Sequence, residues 1–352
     1  MKPGFLYVLH SGNLYGTERM ALATLDGLRD RLEPVLFAPP GPALEEAGRL
    51  DIPAVAFRGA PDLAIRVRPW IAHHRRIAFA ATGVSHSLIF LAWNRLYRRR
   101  NVHLHLVHGG TDERESYGRK RLLNGTGVRF VAVSEFVRER LLAHGVTEAD
   151  IEVCENFLPD RQIAAAPRRP AFREGVRNVV VVSRVDPIKR IDLLFDCLDR
   201  HPALERLDFR ICGTGWDLEV LRARAEKDHP NVVFEGFSDR VPQILAESDL
   251  LLHLCPCEPF GLAILEAMAA GVPVLVPDTG GAASLIEPGV SGFQFRAGDT
   301  DDLGTVLEEV AGLAPASLDR IVAAADARLR ERYSSKAGLE RYARLFEELT
   351  DD

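Results

Sequence analysis

Short apolar runs that do not alternate with polar residues recur along the whole chain, and helical patterns separate them. In the first half they are GFLYVLH (4–10), PVLFA (34–38), AVAF (54–57), IAFAAT (77–82), VHLHLV (102–107) and VRFVAV (128–133). In the second half they are NVVVVS (178–183), LDFRIC (207–212), VVFEG (232–236), DLLLHL (249–254) and VPVLVP (272–277). A strand with one wet face would alternate. A continuous run needs cover on both faces, as a parallel strand between two helical layers has. The intervening stretches suit those layers. In SEFVRERLLAHG (134–145), Ser134 is a good N-cap and Gly145 a good residue just past the end. Between the two series lies FLPDRQIAAAPRRPAFREGVRN (157–178), with three prolines, five arginines and no sustained period, which reads as an interdomain linker. With 352 residues the chain has room for two domains. The expectation is α/β: two doubly wound parallel-sheet domains in tandem, 1–165 and 166–334, facing a cleft. Such sheets bind ligands outside the carboxyl ends of their strands. A last helix, about 335–352, carries Leu339, Tyr342, Leu345, Phe346 and Leu349 at helical spacing and is expected to pack back on the first domain.

Several classes are disfavoured. No apolar run is long enough to span a bilayer; SLIFLAWN (87–94) is typical. The start, MKPGFLYVLHSGN, reads as a first buried strand rather than a secretory signal. Five cysteines, at 154, 197, 212, 255 and 257, are scattered and odd in number, and Cys255 and Cys257 stand too close for the usual zinc spacing. They read as reduced thiols, with a cytoplasmic location expected. No Gly-x-Gly-x-x-Gly fingerprint sits at a strand–helix turn, which disfavours a nicotinamide-linked oxidoreductase. The net charge is −6, and no nucleic-acid partner is expected. Residues 58–121 nevertheless carry 13 Lys and Arg against 4 Asp and Glu, and RLYRRR (95–100) follows an apolar stretch. An anionic lipid-linked acceptor, or peripheral contact with the inner membrane face, is therefore a candidate. The plain alternative is solvated helix faces in a chain with 39 Arg and 5 Lys.

Four stretches carry potential chemistry. In CPCEPFGLAILEAMAAGVPVLVPDTGG (255–281), a turn follows a buried strand and leads into a helix closed by Gly271. The first-turn N–H groups near Gly261 and Leu262 form a site for phosphate. Glu258 and Glu266 flank it; carboxylates repel phosphate but accept hydroxyls. A diphosphate between two polyhydroxylated rings, as in a nucleotide sugar, fits that layout. In VVVVSRVDPIKRIDLL (179–194), Arg184 and Lys189 follow a strand end, where two cations could neutralise a leaving diphosphate. HSGNLYGTERMAL (10–22) and GTGW (213–216) place Gly16 and Gly213 in glycine turns after strands. In LHLVHGGTDERESYGRK (104–120), His108 ends a strand and could bond a sugar hydroxyl, while His103 and His105 read as core or edge residues. DTDD (299–302) reads as a helix start rather than a metal site.

On these residues the sequence resembles a retaining glycosyltransferase of family 4, with the GT-B fold of two Rossmann-like domains. Glu258-Pro-Phe-Gly261 through Glu266 is similar to that family's paired-glutamate signature, and AMAAGVPVLVPDTGG continues the likeness. SRVDPIKR corresponds to the family's Arg and Lys loop and FRICGTGWDLEVL to the unit after it; YGTERMAL and VHGG carry the likeness in the first domain. The resemblance implies that Arg184 and Lys189 bind the donor diphosphate and that Gly261 and Leu262 offer it backbone N–H groups. It implies Glu258 on the donor sugar, Glu266 on the ribose, Gly16 near the diphosphate and His108 beside the sugar. Gly213 falls in the donor-binding part, and Phe237 and Ser238 lie where the base is commonly contacted. Arg190 stands where the family usually has glycine, and Ser183 stands at another such place.

The implied reaction moves a hexosyl unit from a nucleotide-diphosphate sugar to a hydroxyl of a saccharide, lipid-linked or small-molecule acceptor. No metal and no cofactor beyond that co-substrate is expected. The transition state is oxocarbenium-like, and front-face departure would give retention. A sugar-nucleotide epimerase of the same fold and an inactive nucleotide-binding module are the alternatives.

Overall fold

The computed structural model describes residues 2–74, 76–99, 101–110 and 113–350. Each continuous apolar run lies in or around a parallel strand. The first sheet is built from β1 (Gly4–Val8), β2 (Glu33–Ala38), β3 (Ala54–Ala56), β4 (Ile77–Ala81), β5 (Val102–Val107), β6 (Arg129–Ala132) and β7 (Ile151–Val153). Its order is β3-β2-β1-β4-β5-β6-β7, so the winding direction reverses between β1 and β4. The second sheet contains β8 (Asn178–Val182), β9 (Asp208–Cys212), β10 (Val232–Gly236), β11 (Leu250–Leu252), β12 (Val274–Pro277) and β13 (Phe293–Phe295). Its order is β10-β9-β8-β11-β12-β13, reversing between β8 and β11. The strands β7 and β13 escape a reading by apolar runs because each is three residues long and only partly buried.

Burial on both faces explains the runs. β1, β4 and β5 are buried at every position. One core of the first unit joins Leu6, Val8, Phe37 and Phe79 to Val67, Ile71 and Phe90 from the helices above. His103 and His105 are core residues, as their alternation suggests: both bond the buried Ser87 hydroxyl, at 3.0 and 2.9 Å. The second core joins Val179, Val181, Phe209, Ile211, Leu250, Leu252 and Leu275 to helical residues such as Phe195 and Leu307.

The chain divides into Met1–Phe157 with Ser335–Asp352, and Leu158–Ser334. Residues 158–165 thus belong with the second unit, not the first. The stretch 157–178 is also not a free linker, as its prolines and irregular pattern suggest. Leu158 N–H donates to Tyr333 at 2.8 Å, and Asp160–Ala165 is a helix. Arg169 lies over the Phe172 ring and pairs with Asp249 at 2.6 Å. Arg169 reaches Asp249, just before β11, and Arg177 reaches Asp208 of β9, contacts that sequence periodicity does not record.

Asp249 ties this segment down. Its carboxylate also accepts from the Arg177 and Asn178 backbone N–H groups, at 3.0 and 2.8 Å. Burial pushes this carboxyl up, but the Asn178 N–H, the Arg169 guanidinium and the Arg177 N–H outweigh it and hold it below its ordinary 3.8. A depressed carboxylate stabilises fully above its unfolded value, and the contribution fades as pH falls through the folded one. Asp249→Ala is expected to cost about 3 kcal/mol in urea unfolding at pH 7, because it orphans a buried guanidinium. It is also expected to flatten the acid limb below pH 3.8.

The last helix, Ser335–Thr350, counts with the first unit. Tyr342, Leu345 and Phe346 are buried, and Phe346 meets Phe5 edge-on at 4.8 Å. The side chain of Leu349 lies outside the described residues. Gly338 is where the helix meets the body: a Cβ there would stand 2.2 Å from Cδ1 of Phe157. Gly338→Ala is expected to lower stability by about 1–3 kcal/mol through overpacking, read as a lower Tm. An unchanged Tm would show that the Phe157 side chain gives way to the added methyl.

Candidate functional site

The second sheet's strand order sets the site. β8 and β11 are neighbours, so the loops after their carboxyl ends lie side by side. The loop after β11 is His253–Gly261, and Leu262–Ala270 is the helix that follows. Gly261 caps that helix at φ +104°, and a Cβ there would come within 2.8 Å of Ile264 Cδ1. Only glycine takes this conformation readily. The helix presents its first-turn N–H groups beyond this cap, a favourable place for anionic oxygens. Ile264, Leu265 and Met268 are buried, so the remainder of the helix is packing. The loop after β12 braces the turn: Gly281 N–H donates to the Glu258 carbonyl at 2.6 Å, and the Thr279 hydroxyl to that of Pro256 at 2.9 Å.

Two charges expected from separate stretches meet here. Lys189 Nζ lies 2.6 Å from Glu258 Oε2, with both side chains largely buried. Burial pushes the Glu258 carboxyl up, but the Lys189 ammonium and neighbouring donors outweigh it and hold it below its ordinary value. Burial pushes the Lys189 ammonium down, and Glu258 more than reverses that. Both shifts describe an ion pair that stays charged at neutral pH. His253 Nε2 lies 3.6 Å from the same Glu258 oxygen. Burial drives its imidazole down to about 4 against the pull of Glu258, so it is neutral there. Cys255 completes the cluster, its thiol donating to the Ile188 carbonyl at 3.2 Å. Among the described residues, His253, Cys255 and Glu258 are the group with cation-ligating atoms mutually within 4.8 Å.

Arg184 is half-exposed and pairs with Asp186 at 2.7 Å. The other Asp186 oxygen accepts from Trp216 N–H, which ties the Arg184 loop to GTGW. Arg190 adopts φ +53°, the left-handed conformation that explains why glycine would suit this position. Glu266 is half-buried in the helix after the turn. Phe237 is exposed after β10, and the Ser238 hydroxyl accepts from Arg240 N–H. Gly213 follows β9 at φ +149°, packed against the Ser183 carbonyl.

Gly16 and His108 belong to the first unit. Gly16 opens the helix Gly16–Gly27, where Glu18 reaches back to Tyr15 N–H at 3.0 Å. His108 Nε2 is sealed from solvent without a hydrogen-bond partner, and burial, with His10 nearby, pushes the ring down to about 3. His10 bonds the Thr82 hydroxyl at 2.8 Å. Lys120, buried in the turn Gly118–Leu123, donates to the Glu115 carbonyl, and burial lowers its ammonium to about 8. His253, Asp186 and Lys120 were not singled out in the sequence. A histidine interrupting the apolar run DLLLHL, and a rare lysine among 39 arginines, are the available signals.

Two family models match consecutive parts of the chain: "Glycosyltransferase Family 4" over 15–162 and "Glycosyl transferases group 1" over 162–323. An N-acetyl-alpha-D-glucosaminyl L-malate synthase of Bacillus anthracis is 28% identical over 43% of this chain and 42% of its own length. A GDP-mannose-dependent alpha-mannosyltransferase of Mycobacterium tuberculosis is 29% identical over 51% of this chain and 47% of its own. The matches thus span about half the length of these curated relatives. Among solved structures, Anabaena Alr3699/HepE in complex with UDP superposes with a TM-score of 0.83 at 20% identity, covering 99% of this chain and 100% of that one. That likeness concerns the fold, which is GT-B. Two consecutive family matches on two parallel-sheet units identify the chain as a member of the family 4-like, group 1 glycosyltransferases.

Proposed function

We propose that the protein is a retaining glycosyltransferase that moves a hexosyl unit from a nucleotide-diphosphate sugar to an acceptor hydroxyl. The observation that carries this reading is the Lys189–Glu258 pair at 2.6 Å, beside the helix N-terminus that Gly261 opens. A cation, a carboxylate and free N–H groups are what a sugar joined to a diphosphate needs. In the free protein the ammonium neutralises Glu258. An incoming diphosphate competes for Lys189, which releases the carboxylate to accept sugar hydroxyls. Lys189, Arg184 and the helix N-terminus then stabilise charge developing on the departing diphosphate. Glu266, about a turn into the helix, would take the ribose hydroxyls, and Phe237 with Ser238 the base. Gly16 and His108 are the proposed contributions of the first unit, on the diphosphate and the sugar.

Front-face departure, with the leaving diphosphate helping to deprotonate the acceptor, accounts for retention. The relatives named for GDP-mannose and the neighbour solved with UDP support beginning with those bases. A thermal-shift panel of UDP, GDP, ADP and TDP with their sugars selects the donor. NMR of the product anomer then tests the stereochemistry, and an inverted product overturns retention. Donor consumption that gives free epimerised nucleotide sugar, with no acceptor required, points instead to an epimerase. Among the described residues no helix is long and apolar enough to cross a membrane. A lipid-linked molecule is one of the proposed acceptor classes. The basic stretch 58–121 supports that acceptor class, which co-sedimentation with anionic vesicles at low salt tests.

A further inference from the structure

The six residues His253-Leu-Cys-Pro-Cys-Glu258 gather more metal-ligating chemistry than sugar recognition needs. We propose that this turn binds a borderline-soft divalent cation of the zinc type, held by His253, Cys255 and Glu258 with Cys257 as fourth donor. Its occupation closes the donor site.

Three observations carry the site. First, ligand atoms of His253, Cys255 and Glu258 lie within 4.8 Å of one another. Second, His253 is only 5% exposed, and its Nε2 is sealed from solvent with no hydrogen-bond partner. A buried imidazole nitrogen without a partner, 3.6 Å from a carboxylate, is a donor atom awaiting a ligand. Third, the Cys255 and Cys257 sulfurs are 3.9 Å apart. Two thiolates on one tetrahedral zinc, each at about 2.3 Å, stand roughly 3.8 Å apart. A set of one imidazole, two thiolates and one carboxylate suits zinc, whereas magnesium and calcium prefer all-oxygen sets. The short Cys-Pro-Cys spacing by itself argues against a zinc site. The histidine and glutamate flanking the cysteines remove that objection.

Cation entry has defined consequences. The two thiols lose their protons to solvent, and Cys255 gives up its bond to the Ile188 carbonyl. Glu258 turns from the Lys189 ammonium to the metal. Two thiolates, one carboxylate and a divalent cation sum to one negative charge, and Lys189 remains beside it as counter-charge. Glu258 is then lost to sugar hydroxyls and Lys189 is held away from the diphosphate. This inhibitory consequence rests on the function proposed above; the site itself does not.

The test uses the reduced, metal-free full chain, titrated with cobalt(II) without oxygen. The expected result is one equivalent bound, with intense visible bands of four-coordinate cobalt and a near-ultraviolet thiolate charge-transfer band, both bleached by zinc. Cys257→Ser and Cys255→Ser each remove one of the two thiolates and are each expected to weaken the charge-transfer band, with Cys255→Ser also lowering affinity by about 100-fold; the double variant is expected to lose the band. A pale six-coordinate spectrum, or an unchanged spectrum in Cys255→Ser, overturns the site. Donor turnover is then compared with and without one equivalent of zinc in each protein. Zinc is expected to suppress the wild type at least about tenfold and Cys255→Ser much less. Full wild-type turnover with zinc bound overturns closure. A cobalt spectrum in a chain that turns over no donor leaves the metal site standing and removes the transferase reading.

Discussion

Lys189→Ala is expected to lower kcat/KM for the nucleotide-sugar donor by about 10²–10³-fold, the usual cost of removing a group aimed at developing charge. The loss should appear mainly in kcat if Lys189 acts on the departing diphosphate, and mainly in KM if it only holds the ground state. Lys189 also faces a carboxylate with little water around it, the two side chains being 16% and 15% exposed. Removing the ammonium leaves Glu258 charged and poorly solvated, which is expected to cost about 1–3 kcal/mol, less than for a fully buried pair. Glu258→Gln strands the opposite charge: its amide still bonds hydroxyls but leaves the Lys189 ammonium without a counter-charge in the same poorly solvated place, so Tm should fall to a similar extent. The double variant Lys189→Ala/Glu258→Gln strands neither charge and separates the loss of donor use from the stability cost. Circular dichroism and thermal melts establish the fold in each variant, and stopped or coupled assays of nucleotide release measure turnover. Wild-type turnover in a folded Lys189→Ala protein would falsify its role.

Gly213→Ala is expected to be among the most destabilising single-methyl additions in the second unit. A Cβ at this position would stand 1.8 Å from the Ser183 carbonyl oxygen, which is backbone and has no rotamer to yield. Gly213 also has φ +149°, where an L side chain is strained. The approach is close because the ladder between β8 and β9 continues past both strands: Ser183 N–H reaches Cys212 at 3.1 Å, and Val185 N–H reaches Thr214 at 2.9 Å. Relief requires parting these loops, at about 3 kcal/mol or more. The displaced segment begins with Arg184, so donor binding should fall as well. Equilibrium urea unfolding measures the first effect and titration with nucleotide diphosphate the second. A Tm within a degree or so of wild type would mean the two loops separate readily. The result bears on Gly213's part in the site: its place in the fold accounts for a glycine without any contact to a ligand.

The stretches that proved legible are those whose function is local. The run VLVP (274–277), the cap at Gly261 and the N-cap Asp299 each depend on neighbours within a few residues. Asp299 accepts from the N–H groups of Asp301 and Asp302, so DTDD is the helix start its acids suggest. The segment 157–178 was misleading because prolines and arginines look alike in a solvated linker and in a strap held by Asp249. Its role depends on a carboxylate 80 residues away.

The apolar runs alone were enough to require two parallel sheets covered on both faces, since no exposed strand tolerates that pattern. They also placed the polar loops at the carboxyl ends of the strands. They could not say which loops become neighbours. Lys189 and Glu258 are 69 residues apart, and each read singly as a cation or an acid at a strand end. Pairing of β8 with β11 brings them to 2.6 Å and sets His253 and Cys255 beside them. Hydrogen-bonded strand order is a long-range choice made by packing the whole sheet. The electrostatics of the site, a paired lysine and glutamate beside a neutral histidine, follow from that choice and from the burial it imposes.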